Sequence, residues 1–170
     1  FAEGLILPPL KLVEEGVPVK SIFEILAANV RDPRGSAGDL RAQIAGCRTG
    51  ERRIAELAER YGNAKFSELC HSCLNYNETY MRRAITNLGE GFWEAEVLME
   101  DDVTSDDPIR LQAAITIAGD EITVDVTGSD DQRANGLNCP EASTISMIHY
   151  AVKCVLAPDL PQNQGCDRPV

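Results

Sequence analysis

The chain has 170 residues, enough for one domain or a large part of one, and its hydrophobic content of 44% excludes global disorder. A formal net charge of −11 repels nucleic-acid phosphates and anionic membrane surfaces, so we expect neither as a partner. The sequence contains no apolar run long enough to span a bilayer and no secretory signal, which predicts a cytoplasmic setting. It begins without Met and neither end resembles a natural terminus, which favours a segment of a longer polypeptide.

Residues 1–35 are predicted to form an extended start followed by a short helix. Ser21 is predicted to cap that helix over residues 22–30, with Glu24 at the third position as in a capping box. Residues 32–35, which include Pro and Gly, are predicted to form the turn that ends it.

Two longer helices are predicted over residues 36–90. Apolar residues recur there at spacings of three, four and seven, in two stripes of about 22–25 residues each. Gly62-Asn63 is a stop signal between them. Because the break is short, we expect a long antiparallel helical hairpin.

Residues 91–130 change to a period of two, which is typical of half-buried strands. Gly119-Asp120 is a tight turn signal, and an acidic connection is predicted over residues 101–108. We therefore predict a three-stranded antiparallel meander. Residues 131–170 are predicted to form a polar loop and a C-terminal helix, so the fold class is mixed α/β, of the α+β kind.

The most informative block for chemistry is residues 125–132, where Asp125 stands near the end of a strand and is followed by Gly128 and Ser129. An ionised Asp at that place can accept a substrate N–H, hold a base or a water, or bond the backbone of the next turn. Sequence alone leaves these roles open.

A second candidate block leads into the last helix. Free N–H groups at a helix start favour an anion or a carbonyl oxygen, but the pattern favours an ordinary helix cap for Asn138. The predicted catalytic residues are Asp125, Ser129 and Asn138. The predicted substrate-binding residues are Gly128, Asp130 and Thr144.

The six cysteines are predicted to be reduced, buried thiols. Cys70 and Cys73 have the spacing of a zinc clamp, but no second Cys-x-x-Cys pair accompanies them, so no metal site is predicted. The sequence also contains no phosphate loop of the Gly-Lys-Ser/Thr kind and no Gly-x-Ser-x-Gly elbow.

Five blocks, in order along nearly the whole chain, resemble those of the hydantoinase B/oxoprolinase family. In the block that begins at Asp125, Val126 stands where the family usually has Phe. The blocks are Glu3-Gly4-Leu5-Ile6-Leu7-Pro8-Pro9-Leu10-Lys11-Leu12, Asn29-Val30-Arg31 with Gly38-Asp39-Leu40-Arg41-Ala42-Gln43, Asp125-Val126-Thr127-Gly128-Ser129-Asp130-Asp131-Gln132, Gly136-Leu137-Asn138-Cys139-Pro140 and Asn163-Gln164-Gly165-Cys166-Asp167-Arg168-Pro169.

The resemblance implies a segment of the B-type subunit of an ATP-dependent hydrolase that opens small cyclic amides of the hydantoin or 5-oxoproline type. It implies an A-type partner subunit or domain that binds ATP and phosphorylates the substrate oxygen. The family also includes acetone and acetophenone carboxylases, so a carboxylase subunit is the alternative activity. A third alternative is a non-catalytic scaffold for subunit interaction.

The resemblance also implies what the segment does not hold. The family's His- and Asp-rich stretch for a divalent metal lies upstream of the matched part, and a Gly-rich stretch lies downstream. We therefore expect the segment to bind no cofactor itself, to be inactive alone, and to expose surface that other parts of the protein cover, with homo-oligomerisation left open.

Overall fold

The computed structural model describes residues 5–100, 107–134 and 136–170. They form two compact units, the first ending at Phe66 and the second spanning Ser67–Val170. The acidic connection predicted over residues 101–108 falls largely on 101–106, outside the described residues. Among the described helices, none has the length and apolarity needed to cross a membrane.

The first unit opens with a small hairpin where the sequence predicted only extended chain. Strands β1 (Val13–Glu14) and β2 (Val17–Pro18) pair antiparallel. Helix α1 (Lys20–Asn29) follows directly, and its cap residue is Val19, whose side chain makes no capping bond. The predicted Ser21 cap is therefore wrong. The helix starts two residues earlier, because the hairpin brings the chain into it at Val19, whose carbonyl accepts from the Ile22 N–H at 3.1 Å.

Helix α2 (Pro33–Tyr61) begins inside the stretch predicted as a turn. Asp32 is its N-cap, and a side-chain oxygen of Asp32 accepts from the Gly35 N–H at 2.9 Å. Pro33 occupies the first helical position, where the missing N–H costs nothing. Asp32-Pro33 therefore starts helix α2, although the sequence pattern favoured a turn that only ends the preceding helix.

Helix α3 (Asn63–Leu88) begins directly after Gly62, which ends α2. Two long helices with a break at Gly62 are as predicted, although they run to 29 and 26 residues. Their antiparallel packing on each other stays a prediction.

The meander is confirmed. Strands β3 (Gly91–Met99), β4 (Ile109–Ala118) and β5 (Glu121–Asp125) form an antiparallel sheet in the order β3-β4-β5. The register places Trp93 opposite Ile115, and Ile117 opposite both Gly91 and Ile122. Odd-numbered residues of β3 and β4 therefore share one apolar face, as the alternation indicates.

Helix α4 (Glu141–Leu156) and a closing segment, residues 157–170, complete the second unit. Ile85 of α3 is fully buried against Ile117 and Ile122, with Val152 and Leu156 of α4 packed beside them. A neighbouring apolar cluster is formed by Met81, Ala157, Leu160 and Cys166. The core of this unit thus lies where α3 and α4 cover the β4–β5 end of the sheet.

We expect Ile85→Ala to lower the free energy of unfolding of the chain by about 2–5 kcal/mol, because it removes a fully buried side chain from this cluster. Leu88→Ala is the matched control on the same helix, since Leu88 is 53% exposed. Urea denaturation of both variants measures the difference. Equal losses would contradict the location of the core.

Candidate functional site

The loop after β5 contains most of the residues that the sequence nominated for function. Asp125 is the last residue of β5 and is exposed. One of its carboxylate oxygens, Oδ1, accepts from the Thr127 N–H at 2.8 Å. This local bond to the following turn is one of the roles that the sequence left open.

Ser129 continues the pairing along β4 with its side chain. Its hydroxyl accepts from the Gln112 N–H at 3.0 Å and donates to the Gln112 carbonyl at 3.1 Å. The Ser129 hydroxyl thus makes the two bonds to Gln112 that the N–H and C=O groups of a paired strand residue would otherwise make. Gly128 makes this approach possible, because its φ is +100° and a Cβ there would lie about 2.5 Å from the Gln112 side-chain oxygen.

Asp130 extends the same arrangement by two more residues of β4. Its N–H donates to the Arg110 carbonyl at 2.9 Å, and its Oδ2 accepts from the Arg110 N–H at 3.0 Å. The same oxygen accepts from the Arg133 guanidinium at 2.9 Å. Arg133 also donates to the Pro108 carbonyl at 3.2 Å, so it connects the loop to the start of β4.

Asn138 bonds the backbone of this arginine. Its Oδ1 accepts from the Arg133 N–H at 2.9 Å, and its Nδ2 donates to the Arg133 carbonyl at 2.8 Å. It does not cap α4, whose cap residue is Pro140 and has no side-chain bond. The helix-cap role considered for Asn138 is therefore wrong, since both ends of its amide are engaged within the loop.

Thr144 lies one turn into α4, and its hydroxyl donates to the Pro140 carbonyl at 3.3 Å. No bond of the described residues joins it to the loop. The structure thus links Ser129, Asp130 and Asn138 through β4 and Arg133, while Asp125 and Thr144 each bond locally.

The carboxylates of Asp125 and Asp130 are held in the ionised form. The pKa of Asp125 is lowered by hydrogen bonds from the side chain and the backbone of Thr127. The pKa of Asp130 is lowered first by the Arg110 N–H and then by the Arg133 side chain. A carboxylate with a lowered pKa is a weaker base, so both are better suited to accept a hydrogen bond than to remove a proton near neutral pH.

Sequence reasoning missed the contacts that fix the closing segment on α3. Asn77 is 2% exposed and donates to the Pro161 carbonyl at 2.5 Å and to the Cys166 sulfur at 3.3 Å. A Cβ on Gly165 would collide with the Leu74 carbonyl oxygen, so the segment lies directly against the helix. The only signal in the sequence was the fifth resemblance block, which contains Gly165 and Cys166 but does not indicate what they contact.

A group of charges reinforces the same contact. Glu78 of α3 accepts from Arg168 at 2.7 Å and from Arg82 at 3.0 Å. Arg82 also pairs with Asp120 at 3.3 Å and Glu121 at 3.1 Å, at the β4–β5 turn. The bond from Arg168, followed by that from Arg82, lowers the pKa of Glu78.

The cysteines differ from expectation. All six are free, but of these only Cys166 is buried, whereas Cys47, Cys70, Cys73, Cys139 and Cys154 are exposed. Cys70 and Cys73 lie exposed on α3, and His71 bonds the Ser67 carbonyl at 2.8 Å. Within the described ranges, no group of three His, Cys, Asp or Glu side chains is arranged to hold a metal ion.

We expect Asp130→Ala to lower the Tm of the chain by a few degrees at pH 7 and to weaken its acid sensitivity. Because folding lowers the pKa of Asp130, its stabilisation is complete above about pH 4, the ordinary range of an aspartate, and is lost as the pH falls through the lowered value. Thermal melts between pH 2 and 7 measure this. Asp131→Ala, at the exposed neighbour, is the control, and an equal effect there would argue against the Asp130 bonds.

Comparison with known proteins connects this geometry to a family. The model of the hydantoinase B/oxoprolinase family matches residues 1–170. An uncharacterized protein of Methanocaldococcus jannaschii is 36% identical over 99% of this chain and 29% of its own length. A Pseudomonas protein provisionally assigned as the B-type subunit of a D-/L-hydantoinase is 33% identical over 100% of this chain and 31% of its own length.

A solved structure shares the fold. The crystal structure of an ATP-dependent caprolactamase from Pseudomonas jessenii superposes with a TM-score of 0.82 at 29% identity, covering 100% of this chain and 29% of the other. The chain therefore spans about three tenths of the length of these relatives. With a family model that matches its whole length, the chain belongs to the hydantoinase B/oxoprolinase family.

Proposed function

We propose that this chain is part of the B-type component of an ATP-dependent hydrolase that opens small cyclic amides. The observation that supports this most is the TM-score of 0.82 with an ATP-dependent caprolactamase over the whole chain, together with the family match. The overall reaction adds water across the ring C–N bond, giving a carboxylate and an amine, and consumes ATP to ADP and phosphate.

ATP is needed because an unstrained amide is a poor electrophile. Phosphorylation of the amide oxygen makes the ring carbon more electrophilic, so that water can add to it; the C–N bond then breaks with protonation of the amine, and a second water hydrolyses the resulting acyl phosphate to the carboxylate and phosphate. We place the ATP on an A-type partner, and the existence of a partner is supported by the similarity to one subunit of a hydantoinase. We place the divalent metal outside the described residues, whose side chains do not fit one, and we route no step through it.

Asp125 is the loop residue best placed to contact substrate. It is exposed, and an ionised carboxylate has about four acceptor positions, of which the backbone and the side chain of Thr127 use two, so it can accept a substrate N–H as well. Ser129 and Asn138 instead use their polar atoms on the backbone of Gln112 and Arg133. We therefore assign Asp125 to substrate contact and the other two to positioning of the loop.

A scaffold role for the segment is the second candidate. Its support is the same set of bonds, because side chains that are fully used on backbone groups hold a shape and do not react. In that case the chemistry takes place elsewhere in the longer protein, and the loop only joins β4 and β5 to α4.

We expect the longer protein, assembled with its A-type partner, to open 5-oxoproline, N-methylhydantoin or caprolactam only when ATP is present. Chromatography of the ring-opened acid and an assay of ADP should give one ADP for each ring opened. Bicarbonate with acetone or acetophenone is the parallel reaction. ADP formation and carboxylation with those substrates, without ring opening, would assign the carboxylase activity and overturn this proposal.

We expect Asp125→Ala in that assembly to lower kcat/KM by about 10–100-fold, the usual effect of losing a hydrogen bond to a charged group. Ser129→Ala should reduce activity only as far as it lowers Tm, and Asp131→Ala should change neither. Steady-state kinetics, with size-exclusion chromatography to verify assembly, separate these cases. Unchanged turnover in Asp125→Ala with normal assembly would favour the scaffold role.

A further inference from the structure

A cleft of about 610 Å³ lies in the first unit, between α1, α2 and the end of β2. Its walls combine apolar and cationic side chains. Phe23 and Ile44 supply apolar surface, and Lys20, Arg41 and Arg48 supply three positive charges. The positive charge of the cleft walls contrasts with the net charge of −11 of the chain.

Spacing along α2 explains how the wall forms. Arg41, Ile44 and Arg48 are three and four residues apart, so they line one face of the helix. Phe23 lies three residues after Lys20 on α1, which places both on the opposing wall. The cleft is therefore built by two helix faces of a single compact unit.

Contacts within the cleft hold the two arginines in place. The guanidinium carbon of Arg41 lies 5.8 Å from the centre of the Phe23 ring, a cation–π contact that leaves its N–H groups available. Arg48 donates one N–H to the Gly16 carbonyl at 2.9 Å. Since a guanidinium carries five N–H donors, contacts with the part of the chain that the structure describes leave most of those on each arginine available for a ligand.

Carboxylates compensate only part of this charge. Lys20 pairs with Glu24 at 3.1 Å, and this exposed pair is weak. Within the described residues, neither Arg41 nor Arg48 has an ion-pair partner. Two arginines that lack counter-ions beside an apolar wall favour a ligand that supplies both negative charge and apolar surface.

We propose that the cleft binds a small organic anion, a carboxylate or phosphate ester with an apolar body. The acidic group lies between Arg41 and Arg48, and the apolar body contacts Phe23 and Ile44. The volume is in the range of small-molecule sites. The charge and shape of the cleft are the same whichever reaction the longer protein catalyses, so this site is independent of the proposed ring opening.

Titration of the full chain with benzoate, followed by calorimetry and by NMR shifts of labelled arginine side chains, tests the proposal. Benzoate should shift the signals of Arg41 and Arg48. Benzamide, which has the same shape without the charge, should bind at least about tenfold more weakly. Arg41→Gln and Arg48→Gln should each weaken benzoate binding about tenfold or more, as expected for loss of a charge-assisted bond.

Arg52→Gln is the matched control, because Arg52 lies on the same helix outside the cleft and pairs with Glu56. It should leave benzoate affinity unchanged, with thermal melts to verify that all variants fold. Equal binding of benzamide, equal loss in Arg52→Gln, or no shift at Arg41 and Arg48 would overturn the proposal. Two competitors test the chemistry of the ligand. Inorganic phosphate that binds as tightly as benzoate would overturn the role of the apolar wall in recognition. A hexaglutamate peptide that binds more tightly than benzoate would overturn the small-molecule assignment in favour of an acidic segment.

Discussion

Asn77 donates its side-chain amide to the Pro161 carbonyl and to the Cys166 sulfur, and only 2% of the residue is exposed. A buried amide without partners costs several kcal/mol, so α3 and the closing segment must come together for either to be satisfied. Pro169 of the same segment accepts from the Ile122 N–H at 2.8 Å. The closing segment therefore joins helix α3 and the sheet of the second unit, and the buried amide of Asn77 is the polar contact at the centre of that junction.

The loop after β5 is built on a related principle, with side chains in place of a backbone ladder. Regular pairing of β5 with β4 ends at Asp125, opposite Ala114. Ser129 and Asp130 then bond the backbone of Gln112 and Arg110, two and four residues further along β4. Because Gly128 has a positive φ, the chain can approach the strand closely enough for these bonds. Polar residues in a family motif are thus not always reactive groups, and here most of them fix the conformation of the loop.

Sequence patterns predicted the elements of this fold better than their contacts. The period of two predicted the meander and its apolar face, because alternation follows directly from strand geometry. Helix starts were less predictable: Asp32-Pro33 fits both a turn and a capped helix, and only the following 29-residue helix decides. The bonds of Asn138 to Arg133 and of Asn77 to Pro161 could not be predicted, since they join residues that no periodicity relates. For the same reason, the sequence could nominate Asp125 and Ser129 together but could not tell that one bonds its own turn and the other bonds β4.

The apolar face of the sheet is covered unevenly, and this bears on where a complete site can form. Ile117 and Ile122 lie under α3 and α4, whereas Trp93 and Val97 on the same face of β3 are 51% and 61% exposed. Phosphorylated intermediates of the proposed kind must be protected from bulk water before the correct attack takes place. The described residues provide a loop hydrogen-bonded to β4 but little enclosure around it. Since the chain spans only 29% of the length of these relatives, we expect the enclosing walls to come from their additional residues, and the loop to contribute position and charge to a site that those residues close.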